Sequence, residues 1–286
     1  MKKFKSAFLK PLAIALVVAV ALTAIIPIGA TGNLGDNDCA PTNCIDIHKY
    51  NTELYAKLSA EIGEETLESY AYNTLSFRPL TLDPPKLANP TRSTLLIGAN
   101  ASLTSADQGD KLENTSIGGL ALATYNIPLR KSLLNSQSLM IGSAQAGATT
   151  GVSFWVVGSS GSGLAYVNIV GQAEADLVAG LGGHASWEVT AELWDVTGTS
   201  TLVGSTNIFS AQANNLQSIS SGGSFSASIL ASLQHNHCYV VRVCTYGRTT
   251  QNSPGLPFIS MVCCDDWTAI YGPHVSSWSS VNILWQ

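Results

Sequence analysis

The feature that most constrains this chain is a two-residue rhythm in its second half. In "SWEVTAELW", Trp187, Val189, Ala191 and Leu193 alternate with Ser186, Glu188, Thr190 and Glu192. A period of two marks a β-strand with one buried and one wet face. "FSASI" repeats the pattern, with Phe225, Ala227 and Ile229 inward and Ser226 and Ser228 outward. "CYVVRVC" sets Tyr239, Val241 and Val243 on one face and Cys238, Val240, Arg242 and Cys244 on the other, which reads as half-exposed. Further strands are expected at "STLVGSTNIF", "LPFISMVC" and the terminal "SVNILWQ". The segments "VSFWVVG" and "LAYVNIVG" flank the turn "SSGSG" and read as a hairpin.

Short strands joined by Gly, Ser and Asn turns predict a mainly β chain, an antiparallel β-sandwich of the jelly-roll or immunoglobulin-like kind. No strand–helix–strand rhythm is present, which argues against a parallel nucleotide-binding sheet. Ahead of the β body, Leu54, Leu58 and Ile62 recur at helical spacing, with Ile47, Tyr50 and Tyr55 on or near the same face. This predicts a helical segment over 45–72, interrupted near Gly63, with a second helix beginning at "EETLESYAY". Residues 73–150 are less legible: "RPLTLDPPKLANPTR" is punctuated by proline, and only "GLALATYNI" reads as a strand.

The first thirty residues bear on compartment. "MKKFKSAFLK" is basic, and "PLAIALVVAVALTAIIPIGA" is apolar apart from Thr23 and closes on small residues. These are the parts of a secretory signal peptide. The apolar run approaches the roughly 20 residues that span a bilayer, so a retained N-terminal anchor is the alternative. Either reading places the remainder outside the cytoplasm, secreted or on the cell surface. Residues 31–44 read as an extended, cysteine-containing leading segment, and 45–286 as one sandwich domain with its helical embellishment.

Removing residues 1–30 takes four lysines and no acid, leaving 10 basic against 19 acidic residues and a net charge near −9. Such a chain offers no counterion-releasing surface to nucleic acid. Only 12% of residues are charged, about half the usual share. Two sequons, at Asn100 and Asn114, are candidate glycosylation sites.

Six cysteines outside the cytoplasm predict three disulfides, among fifteen possible pairings. The expectation is a local Cys39–Cys44 loop, with Cys238, Cys244, Cys263 and Cys264 paired between the two C-terminal strands. A staple from the leading segment onto Cys263 or Cys264 is the alternative. Cys263 and Cys264 are neighbours and face opposite ways in a strand. A metal reading of His235, His237, Cys238, Cys244, Cys263, Cys264, Asp265 and Asp266 fails on spacing, because structural zinc sites use paired C-x₂₋₄-C and H-x₃₋₅-H ligands.

Catalytic templates are poorly matched. Asp265 and Asp266 would need a partner carboxylate about 5–10 Å away across a bond, with Glu188 and Glu192 the suggestive candidates. "GSSGSG" is neither a nucleophile elbow nor a phosphate loop. No cofactor is implied. The sequence therefore reads as a non-enzymatic surface or extracellular structural protein, a subunit of an envelope layer or filament. Its partners would be copies of itself or other surface proteins, and "VNILWQ" is a candidate assembly strand. The alternative is a carbohydrate-binding module or adhesin using Trp194 and Trp267 as glycan platforms, and an extracellular hydrolase ranks third.

Overall fold

A computed structural model describes residues 46–69, 79–86, 93–158, 161–266 and 274–286. Helix α1 (Ile47–Ile62) opens on Asp46, whose carboxylate accepts the Lys49 N–H at 2.9 Å, the usual means of satisfying an orphan first-turn donor. It closes on Gly63, which adopts φ 85° and donates its N–H to the Ser59 carbonyl, and α2 (Glu64–Ser69) follows. The strands are β1 (Ser93–Leu96), β2 (Ala101–Leu103), β3 (Gln108–Thr115), β4 (Gly119–Asn126), β5 (Lys131–Leu139), β6 (Ile141–Val157) and β7 (Ser162–Val178). They continue with β8 (Gly183–Asp195), β9 (Thr201–Asn214), β10 (Ser218–Gln234), β11 (Cys238–Asn252), β12 (Ile259–Cys264) and β13 (Ser276–Trp285).

Two sheets result, and they form the expected β-sandwich. Sheet I runs β1-β6-β11-β8-β9, with β3 sharing the β1 edge of β6. Sheet II runs β10-β7-β12-β5-β13-β2, with β4 on β5. In sheet II, β12 and β13 lie end to end between β7 and β5. All pairings are antiparallel except β1 with β6. The inner faces carry the alternation read from sequence: Trp187, Val189, Ala191 and Leu193 of β8 and Tyr239, Val241 and Val243 of β11 are all buried. They meet Val167, Ile169, Ala173 and Leu177 of β7 in one core. Small inner residues on β6, Ala144, Ala146 and Ala148, make room for the indole rings. Each buried indole N–H has a threonine: Trp187 donates to Thr245 and Trp278 to Thr150, both at 3.1 Å. The second bond crosses between sheets.

The predicted hairpin at "SSGSG" is not formed. β6 lies in sheet I and β7 in sheet II, so the two strands do not pair with each other, and Ser159 and Ser160 lie outside the described residues. Glycine–serine composition supplies flexibility without choosing between a hairpin and an arch. The chain changes sheet at most of its connections. Left-handed residues stand at those corners, including Gly118, Met140, Gly161, Gly182, Asn236 and Gly255. At Met140, with φ 58°, no glycine marks the turn, which is why the sequence hides it.

The stretch 73–150, opaque in sequence, contains β1 to β5 and the start of β6. β4 coincides with "GLALATYNI". β3, "QGDKLENT", is an exposed edge strand with charges on it, so no alternation announces it. Helix α1 packs on sheet II through Ile47 and Tyr50 against Val178, Ile259 and Met261. Ile62 ends up exposed. The residue that fastens this helix is polar: Asn51 donates to the Ile259 carbonyl at 2.7 Å and accepts the Ile259 N–H at 3.1 Å. Its carboxamide thus replaces a neighbouring strand where β12 extends past β7.

The terminal "VNILWQ" belongs to its own sheet. β13 pairs with β7 on one side and β2 on the other, and Val281 and Ile283 are fully buried. Deleting residues 281–286 removes two side chains worth about 1.5–3 kcal/mol each, and opens β7 and β2. The truncated chain is expected to lose its cooperative melting transition in circular dichroism; a folded, soluble truncated monomer would contradict this packing.

Candidate functional site

The outer face of sheet I is covered, contrary to the expectation of a half-exposed one. Cys238, Val240, Arg242 and Cys244 are all buried there. Residues 79–86 cross it as a strap: the Leu80 N–H meets Gln145 at 2.9 Å and the Leu82 N–H meets the Tyr246 hydroxyl at 3.3 Å. Farther along, Arg242 Nη1 donates to the Asp83 carbonyl and Ser200 to the Pro85 carbonyl, both at 2.6 Å. β6 presents Gly147 and Gly151 outward, which lets the Tyr246 ring and Arg242 lie close against it. A Cβ at Gly147 would sit 2.9 Å from the Tyr246 ring, and one at Gly151 would sit 3.0 Å from Arg242 Cβ.

Beside the strap, Arg242 Nε binds Glu192 at 2.7 Å with the arginine side chain 4% exposed. Its guanidinium lies 5.3 Å from the centre of the Trp194 ring, while Trp194 Nε1 donates to the same Glu192 oxygen. Trp194 therefore spends one ring face and its N–H on internal partners. It is half-buried against Val196, Cys238 and Val240. Trp267 lies outside the described residues. Arg248 pairs with Glu188 at 3.3 Å.

The four C-terminal cysteines occupy four separate apolar environments. Cys238 packs with Val196 and Val240, Cys244 with Leu82 and Tyr246, Cys263 beneath α1 with Met261, and Cys264 in the main core. Among the described residues Cys244 and Cys264 are free thiols, and no bridge joins any two of these four. The expected pairing between β11 and β12 fails because these strands lie in opposite sheets. Cys238 and Cys244 point outward from sheet I, Cys263 outward from sheet II, and Cys264 inward. The opposite facing of Cys263 and Cys264 is as the sequence implied. Cys39 and Cys44 lie outside the described residues. Burial pushes the Cys244 thiol up to about 12, the Arg242 charge opposing this. Burial, then the adjacent Asp265, raises Cys264 as well. Thiolate, the reactive form, is suppressed at both.

The remaining polar candidates are scattered. His237 Nδ1 lies 2.5 Å from Asp195 Oδ2 at one end of sheet I. Burial works to raise the Asp195 pKa, but hydrogen bonds from the Thr197 backbone and His237 bring it below the ordinary value. His235 lies in the corner before β11, its backbone N–H on the Gly161 carbonyl. Asp265 is buried and accepts from Asn135 at 2.9 Å, on the outer side of sheet II. Glu188 and Glu192 stand on the outer side of sheet I, so the whole sandwich separates them from Asp265. Asp266 is exposed. Near Asp265, His274 Nε2 binds Asp176 at 2.7 Å while Ser220 donates to the other Asp176 oxygen. Serine meets the acid and not the imidazole, an order unsuited to nucleophile activation. Among the described residues no group of His, Cys, Asp and Glu side chains is arranged to hold a metal ion.

Two surface concavities stand out among the described residues. A cleft of about 430 Å³ beside the strap is walled by Asp83, Asp107, Asp110, Lys86 and Arg242. Asp107 is already committed, accepting from the Ser153 N–H at 2.9 Å and from the Ser153 hydroxyl. The second, about 450 Å³, lies on the outer face of sheet II among Asn100, Ser102, Asn168 and Asn282. Sequence reasoning missed these residues although "LAYVNIVG" and "SVNILWQ" show them. Tyr166, Asn168, Asn282 and Leu284 are the outward members of alternating runs, and only the strand register brings them side by side. Both sequon asparagines, Asn100 and Asn114, are exposed.

No family model matches the sequence, and no curated protein matches it. Among solved structures the chain is similar to TmCBM61 in complex with β-1,4-galactotriose, at 8% identity over 52% of this chain and 86% of that one, with a TM-score of 0.17. It is also similar to a chain of infectious bursal disease virus, Gx strain, at 11% identity over 72% of this chain and 44% of that one, TM-score 0.17. The D431N mutant VP2 protein of infectious bursal disease virus gives 13% identity over 73% and 44%, TM-score 0.19. The chain thus spans less than half the length of the viral chains.

Two measurements test this site. Iodoacetamide at pH 8, without reductant, is expected to leave Cys244 and Cys264 unlabelled in the native protein and to label both in guanidinium. A requirement for reductant in guanidinium would show them bridged. Arg242→Ala strands the Glu192 carboxylate, whose side chain is 16% exposed and keeps the Trp194 N–H, so the cost should stay below the roughly 3–5 kcal/mol of a fully buried pair. The midpoint of urea unfolding should fall accordingly, and the double variant Arg242→Ala/Glu192→Gln should recover part of the loss.

Proposed function

We propose that this protein is an exported structural subunit that self-associates through the free edges of β9 and β10. The observation carrying this reading is the chemistry of those edges. β9 closes sheet I and β10 closes sheet II on the same side of the sandwich, and residues 196–234, which include both strands, contain no Asp, Glu, Lys or Arg. Sheet edges present a row of unpaired N–H and C=O groups, and chains that must stay apart usually guard them with lysine, proline or other charge. Here that guard is missing, and Leu202 and Val203 add exposed apolar surface at 46% and 38%. Irregular register with β8 at two points, between Val189 and Thr190 and between Leu193 and Trp194, is the one feature that twists the edge.

An antiparallel β9–β9 contact about a two-fold axis would extend sheet I across two molecules, and β10 would offer sheet II to a third. Export is supported by the basic and apolar N-terminal stretch alone; the thiols among the described residues neither add to it nor subtract from it. The expectation of a non-catalytic role is supported by the dispersal of Asp265, His237, Glu188 and Glu192.

Light scattering and negative-stain microscopy at rising concentration test the proposal. Dimers or longer assemblies are expected, and Ser205→Lys/Asn207→Lys should dissolve them, since like charges face one another across paired strands. Both positions are exposed, so the melting temperature should hold. A wild-type chain that remains monomeric at every attainable concentration would overturn the reading.

A further inference from the structure

On the outer face of sheet II, away from α1 and the Asp176–His274 pair, the stretch formed by β10, the first half of β7, β13 and β2 is exposed and uncharged among the described residues. Strand register arranges its side chains in rows. Leu230, Tyr166 and Leu284 stand abreast on β10, β7 and β13, exposed by 51%, 40% and 39%. Two residues along, a second row holds Ser228, Asn168, Asn282 and Ser102, the last from β2. Three inter-strand steps of about 4.8 Å make this row about 14 Å long, and the two rows lie about 7 Å apart. The concavity of about 450 Å³ lies over the second row. β2, β10 and β13 contain no charged residue, and the first charge on β7 is Glu174, six residues beyond Asn168, about 20 Å along the strand.

The hydrogen-bonding groups of the second row are underused. Among the described residues the Asn168 carboxamide has no side-chain partner. Asn282 gives one N–H to Ser280 at 3.2 Å, which leaves its carbonyl oxygen. Asn100, at the rim, accepts the Trp285 N–H at 2.9 Å and keeps its own NH₂ group. A carboxamide pairs a donor with an acceptor, which matches two adjacent hydroxyls, each able to give and to receive. The neighbouring tyrosine and leucine strip suits a C–H face. An anion finds no cation here, a cation finds no carboxylate, and a purely apolar ligand would bury the amides unsatisfied.

We propose that this face, centred on Asn168, Asn282 and Tyr166, is a binding site for a neutral oligosaccharide. The proposal goes beyond self-association and does not rest on it. The glycan stacks one sugar face on Tyr166 and sets its hydroxyl edge into the amide row. The chain's acidity turns away uronic-acid and sialylated polymers.

Calorimetric titration of the purified protein with cello-, galacto-, manno-, xylo- and malto-oligosaccharides, and with oligogalacturonate, tests this. At least one neutral ligand should bind with Kd at or below about 1 mM, and oligogalacturonate should not. Asn168→Ala and Tyr166→Ala should each weaken binding tenfold or more. Both positions are exposed or half-buried at the surface, so the melting temperature should move by no more than about 2 °C. Ser205→Lys/Asn207→Lys, which tests assembly, should leave glycan affinity unchanged. The proposal falls if no neutral sugar binds, or if binding survives both substitutions. It falls equally if Asn168→Ala dissolves assemblies while no sugar binds, which would assign the face to a second copy.

Discussion

The structure depends on one constraint, the mutual burial of two inner sheet faces whose side chains alternate strictly with outward ones. Because the alternation has a period of two, a slip of one residue in β7 would expose Val167 and Ile169 and bury Tyr166 and Asn168, and a slip in β11 would turn Arg242 into the apolar core. Register is therefore fixed from within. Once it is fixed, the outward residues have no further choice of neighbours. Glu192 stands beside Arg242 because Leu193 and Val241 are buried, and Asn282 stands beside Asn168 because Val281 and Ile169 are.

The two outer faces are then dressed differently. Sheet I receives the strap, with a buried ion pair and stacked guanidinium groups beneath it, and becomes a second packed layer. Such a pair adds little net stability over apolar residues of the same shape, yet breaking it is expensive. Its effect is to hold the strap in a single position. On sheet II α1 covers the region of Val178, Ile259 and Met261, while the rows of Tyr166 and Asn168 stay exposed or half-buried among the described residues.

Much of the fold was legible in the sequence. Strands β8, β10 and β11 announced themselves through the alternating runs Trp187 to Leu193, Phe225 to Ile229 and Tyr239 to Val243, and α1 because its stripe repeats at helical spacing. β3 and β5 did not, the first because it is a wet edge, the second because "KSLLNSQSL" buries serines and an asparagine that read as exposed. The change of layer at "SSGSG" could not be read, since turn composition does not record which sheet the next strand joins. The cysteines show the limit most clearly. An even count suggested crosslinks, but pairing depends on which sheet and which face each sulfur occupies, and the four side chains lie in four separate clusters. The amide row was equally invisible, because its members come from strands more than a hundred residues apart.

The frequent change of layer has a kinetic consequence. β6 finds its long partner in β11, with Ile141 opposite Asn252, and the middle of β7 is flanked by β13, with Ile169 opposite Val281. Neither sheet closes until the last fifty or so residues have been synthesised. Until then the chain has little to collapse upon, and loop closure over such separations is slow. Under the export proposed above, that delay would keep the chain in a translocatable state until it has crossed a membrane. The same delay leaves uncharged strands waiting without neighbours, so molecules emerging close together would meet one another's edges before their own sheets are complete.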